Sequence, residues 1–144
     1  MSLKLRKIKG YLEIHGKQCT EELNKKLGTQ LSYEFDWGCI PDNIPEWNWS
    51  EPDLKRCFYN SYFLPIEQCL EQLFGDPLYK EAINEQVKVV RVVPRDGTFL
   101  EAKFADGVLS LSQSLSVTQG QDGGGPYLER SVKIISHTIE SQLS

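Results

Sequence analysis

The dipeptide Asp106-Gly107, set between two runs of alternating apolar and polar residues, constrains this chain more than any other feature. A two-residue link of that composition suits a type I′ turn, in which both central residues take positive φ and antiparallel strands are joined. The spacing therefore predicts a hairpin with strands over 99–105 and 108–117. Upstream, Val87–Val93 is a β-branched run, and the turn-forming Pro94-Arg95-Asp96-Gly97 separates it from the hairpin. Three such strands in succession predict an antiparallel meander.

A fourth strand is written in Leu31–Trp37. Leu31, Tyr33, Phe35 and Trp37 share one face, while Ser32, Glu34 and Asp36 share the other. That alternation describes a strand with one buried side and one wet side.

Helices account for most of the rest. Leu3, Leu5, Ile8, Leu12, Cys19, Leu23 and Leu27 recur at spacings suited to an amphipathic helix, though His15-Gly16 leaves open a division into two. Gly28 follows Lys25 and Lys26, as at a helix C-terminus. Proline fits a first helical turn, so Pro65–Phe74 is predicted as a helix with Ile66, Cys69, Leu70 and Leu73 inward. A short helix is assigned to Leu54–Leu64. Asp76-Pro77 opens another over Pro77–Glu85, and Leu128, Val132, Ile135, Ile139 and Leu143 mark a closing helix over Pro126–Leu143. The expected fold is α+β: a mainly antiparallel four-stranded sheet (31–37, 87–93, 99–105, 108–117) packed against N-terminal, central and C-terminal helices. Neither half holds enough core alone, so 1–144 is read as one globular domain.

Charge narrows the function classes. Residues 1–26 hold seven Lys/Arg against three Asp/Glu, whereas residues 27–53 hold no cation and six acids: Glu34, Asp36, Asp42, Glu46, Glu51 and Asp53. A net charge of −4 is the reverse of what a nucleic-acid binder needs. No run is long and apolar enough to span a bilayer, so no membrane role is expected. The basic start (Lys4, Arg6, Lys7, Lys9) reads as a solvated helix face and lacks the apolar block of a secretory signal, although a chain already freed of its signal would look the same. Cys19, Cys39, Cys57 and Cys69 form no CxxC pair and read as buried thiols in a reducing cytoplasm, with a Cys39–Cys57 bridge as the alternative. His15 and His137 stand alone, so neither a metal nor any other cofactor is expected.

Three segments invite chemistry. Gly120–Gly125 precedes a helix but lacks the GK[ST] and GxGxxG patterns of phosphate loops, and reads as a connection. Ser110, Ser112, Ser114 and Ser116 alternate as a polar outer face without a GxSxG nucleophile pattern. The third segment, Tyr33–Asp53, gathers all three tryptophans among six carboxylates. Trp37 falls on the inward strand face; Trp47 and Trp49 are either anchors for a partner or pins holding a loop to the core. The expected function is a binding or inhibitor protein of the immunity-protein kind, engaging a basic protein through Trp47, Trp49, Asp42, Glu46, Glu51 and Asp53. The alternatives are a small enzyme using Glu34, Asp36 or Asp42 as a carboxylate base, and a homo-oligomer joined through the tryptophan loop.

Overall fold

The computed structural model describes residues 3–36, 55–56, 58–94, 100–113 and 125–143. In chain order these form α1 (Leu3–Leu27), β1 (Ser32–Phe35), a π-helical turn (Tyr59–Phe63), α2 (Leu64–Leu73) and α3 (Pro77–Gln86). Then follow β2 (Val89–Pro94), β3 (Glu101–Ala105), β4 (Val108–Gln113) and α4 (Gly125–Gln142).

α1 is one unbroken helix, so the division considered at His15-Gly16 does not occur. Leu12, Gly16, Cys19, Thr20 and Leu23 make its buried stripe, whereas Leu3 is exposed. Gly16 costs about 1 kcal/mol of helix propensity relative to alanine. Its value is space: a Cβ there would overlap ring atoms of Tyr33, whose hydroxyl donates to the Leu12 carbonyl at 3.2 Å. The helix stops at Gly28, where φ is +71° and the N–H returns to the Asn24 carbonyl at 2.8 Å. The Asn24 side chain then sets the course of the chain toward β1. Its Oδ1 accepts from the Leu31 N–H (2.8 Å) and from the Thr29 hydroxyl (2.7 Å), while Nδ2 donates to the Leu31 carbonyl (2.9 Å).

The four-stranded sheet has the order β1-β2-β4-β3, with β1 parallel to β2, β2 parallel to β4, and only β3–β4 antiparallel. The sheet is therefore mixed and mostly parallel, which corrects the expected antiparallel meander. The hairpin itself is present: Asp106 and Gly107 have φ of 53° and 78°, as a type I′ turn requires. What differs is the order, because β4 inserts between β2 and β3. The physical reason lies in the strands' own chemistry. β2 (Val-Val-Arg-Val-Val-Pro) is apolar on nearly every residue, which suits a central strand, whereas β3 carries Glu101 and Lys103, charges that suit an edge. The Gly107 carbonyl also accepts from the N–H groups of Lys88 (2.8 Å) and Val89 (3.0 Å), tying the hairpin tip to the start of β2. Residues 37, 99 and 114–117 of the expected strands lie outside the described residues.

The central helical stretch shows how a proline shapes its surroundings. Lys55, Arg56 and Phe58 are helical, followed by the π turn and α2, so the short helix expected before Pro65 runs into the next one. Pro65 has no N–H to offer the Ser61 carbonyl four residues back. The Leu64 N–H reaches back five residues to the Tyr59 carbonyl, and the freed Ser61 carbonyl accepts from the Gln113 side-chain amide of β4 instead. Tyr62 donates to the Gln113 carbonyl at 2.8 Å, so this fully buried glutamine locks the π turn to the end of the sheet. In α3, Asp76 caps the helix by accepting from the Leu78 N–H at 2.9 Å, with Pro77 in the first turn as expected.

One hydrophobic cluster joins these parts. Val90, Val92, Leu109, Leu111 and Phe104 of the sheet meet Ile66, Cys69 and Leu70 of α2 and Val132, Ile135 and Ile139 of α4. The opposite sheet face carries a polar cross-strand row, Glu34, Arg91, Ser110 and Lys103, with Val93 buried on the same face.

Candidate functional site

The residues expected to bind a partner (Asp42, Glu46, Trp47, Trp49, Glu51 and Asp53) lie outside the described residues, as do Trp37, Cys39, Cys57 and Gly120–Gly124. The start of their segment is described. Glu34 and Asp36 are exposed at the polar sheet face and the end of β1. Arg91 donates to Glu34 Oε2 from Nε at 2.9 Å and from Nη2 at 2.8 Å. Glu34 thus sits in a hydrated ion pair, worth about 0–1 kcal/mol at such exposure. The Glu34 side chain is half exposed, whereas a carboxylate base needs dry, enclosed surroundings.

Because β1, β2 and β4 are parallel, their chain ends share one edge of the sheet. The Asp36 N–H pairs with the Val92 carbonyl at 2.9 Å, and Pro94 stands opposite Gln113. The described ends of these three strands, Asp36, Pro94 and Gln113, therefore lie along that one edge. In open sheets with parallel strands, the carboxyl edge is where ligands gather.

A second feature was not anticipated from the sequence. A cleft of about 200 Å³ opens between α1 and the π turn with α2, lined among the described residues by Cys19, Glu22, Leu23, Lys26, Tyr59, Phe63 and Glu67. Glu67 is its buried charge: the side chain is 9% exposed, yet one oxygen accepts from the Lys26 ammonium and the other from the Tyr59 hydroxyl. Lys26 also lies 3.6 Å from Glu71. Burial pushes the Glu67 carboxyl up, but the Lys26 and Tyr59 hydrogen bonds outweigh it and hold it below its ordinary value. Burial and the same carboxylate push the Tyr59 phenol up, so Tyr59 is a neutral donor. Burial pushes the Cys19 thiol up to about 11, which leaves it protonated and poorly nucleophilic near neutrality. The cleft can bind charge, and its groups are poorly placed to start covalent chemistry. Lys26 and Glu67 are 41 residues apart in sequence. The one sequence signal was a glutamate on the inward side of α2, between Ile66 and Cys69.

Cys69 is likewise a free, buried thiol, 3.1 Å from the Ser136 hydroxyl and raised by burial to about 11. His137 is exposed on α4, as its position off the apolar stripe implied. Among the described residues no group of His, Cys, Asp and Glu is assembled to hold a metal ion, and no helix is long and apolar enough to cross a membrane. Comparison with known protein families, curated proteins and solved structures finds no match.

Proposed function

We propose that this chain is a non-catalytic binding protein that masks a basic protein partner, as a small inhibitor or immunity protein does, through the acidic aromatic block Tyr33–Asp53. The observation that carries this reading is charge: the stretch 27–53, which contains the block, holds six carboxylates, three tryptophans and no cation. Its described end lies on β1, an edge strand, with Glu34 and Asp36 exposed. An acidic surface attracts a cationic one and speeds encounter, while Trp47 and Trp49 supply rigid apolar area for the contact. The protonated, buried Cys19 and Cys69 thiols accord with a reducing, cytoplasmic setting.

The test uses poly-L-lysine and a panel of basic nuclease domains as probes. Binding is expected to weaken between about 0.05 M and about 0.5 M salt, where the screening length differs roughly threefold. Lysine substitution of Asp42, Glu46, Glu51 and Asp53 should slow association. Trp49→Ala should weaken binding by about 2 kcal/mol or more with the fold intact. If Trp47→Ala and Trp49→Ala instead each cost about 3–5 kcal/mol of stability, both belong to the core and the tryptophan-anchored interface is lost.

A further inference from the structure

The cleft around Glu67 has an unusual balance. Glu22 and Glu67 line it, and Glu71 stands within reach of Lys26. Among the described residues, two ammonium groups stand against these three carboxylates, Lys26 and Lys55, the second acting on the Cys19 thiol. An excess of negative charge remains beside apolar and aromatic walls, Leu23, Phe63 and Tyr59. Tyr59 occupies one Glu67 oxygen as a donor, so the other oxygen is the place a ligand can reach. Lys26 fills that place from a side chain that is 61% exposed, on a flexible stem that can swing into solvent. The protein thus already shows which chemical group Glu67 accepts.

We propose that the cleft is a receptor for one arginine side chain of the basic partner, the guanidinium replacing the Lys26 ammonium on Glu67. The inference rests on the binding reading above and adds a named contact to it. A planar guanidinium fits better than a second ammonium. It is less strongly hydrated, it can stack on Tyr59 or Phe63, and its fork can bridge Glu67 and Glu22. Lys26 is then a placeholder that keeps a buried carboxylate from standing alone before the partner arrives, which would otherwise be costly.

The probe is N-acetyl-arginine amide, titrated into the full chain while backbone amide shifts of Leu23, Tyr59 and Phe63 are followed by NMR. Saturable shifts centred on these residues are expected, with none from the uncharged citrulline analogue. Lys26→Met should tighten binding roughly 3- to 30-fold, because the competing occupied state is removed. Glu67→Gln should abolish the shifts; if that variant does not fold, Glu22→Gln serves, with weakened binding expected. Equal shifts from citrulline, no saturable shift from arginine, or unchanged affinity in Lys26→Met would overturn the proposal. Salt-sensitive binding to poly-L-lysine that persists alongside such a failure removes the arginine pocket and leaves the acidic-block reading standing. Loss of both removes the binding function itself.

Discussion

The ring of Tyr33 in β1 occupies the space where any residue but glycine at position 16 of α1 would place its Cβ. Gly16 is therefore the contact surface of the helix and not its weak point. The hydroxyl of the same ring reaches the Leu12 carbonyl one turn earlier, so helix and edge strand are held at two successive levels.

Gly16→Ala should consequently destabilise the protein, although alanine favours helix by about 1 kcal/mol. Forcing the ring away costs about 1–3 kcal/mol, as overpacking does, and the net loss should appear in urea denaturation. In a Tyr33→Ala background the same substitution should become neutral or stabilising, because the clash is gone. A Gly16→Ala protein more stable than the parent would contradict the observed approach.

The Ser61 carbonyl offers a second test. Gln113→Leu removes its side-chain donor within the core and should cost about 1–3 kcal/mol. Pro65→Ala supplies an N–H where an α-helix would use one. The cost of Gln113→Leu should therefore shrink in the Pro65→Ala background, and strict additivity in that double-mutant cycle would exclude the substitution of donors described here.

Glu67 predicts an acid limb. Burial works to raise its carboxyl, but the Lys26 and Tyr59 hydrogen bonds prevail, so the folded group titrates below its ordinary value of about 4.3. Its contribution is then present above pH ~4.3 and lost as the pH falls through the folded-state value. Stability measured from pH 6 downward to about pH 3 should fall less steeply in Glu67→Gln than in the parent. Identical slopes would remove Glu67 from the acid response.

The thiols predict the opposite limb. Burial raises Cys19 and Cys69 to about 11 in the folded chain. Their contribution is present below the unfolded thiol value of about 8.5 and lost as pH rises through 11. At pH 8 these thiols should react with a disulfide reagent far more slowly in native than in urea-unfolded protein. Four free thiols are expected on unfolding without reductant; only two would reveal a Cys39–Cys57 bridge and oppose the cytoplasmic reading.

Signals carried by a few consecutive residues were legible. Asp106-Gly107 adopts its turn, Asp76-Pro77 opens α3, and Gly28 closes α1 with the expected left-handed backbone. The inward stripes of α2 and α4 were read from spacing alone, since Ile66, Cys69, Leu70, Val132, Ile135 and Ile139 are all in the core. Ser110 and Ser112 do lie opposite Leu109 and Leu111 on β4. At Gly16 the same local reasoning failed, because helix propensity cannot see a tyrosine arriving from seventeen residues away.

By itself, then, the sequence determined most of the elements, the buried stripes of α2 and α4 and the turn and cap residues, since each depends on backbone preferences and periodicity within one or two turns of chain. It also determined the acidic block, which is a matter of composition. Only the tertiary structure decided that β4 lies between β2 and β3, that three parallel strands end at one edge, and that Lys26 meets Glu67. Strand order is set by which apolar faces find cover in the assembled core, and a buried ion pair by two helices meeting. Both are encounters between residues 19 or more positions apart; the apolar run of β2 and the charges of β3 suit the observed order, but periodicity within one element does not select it.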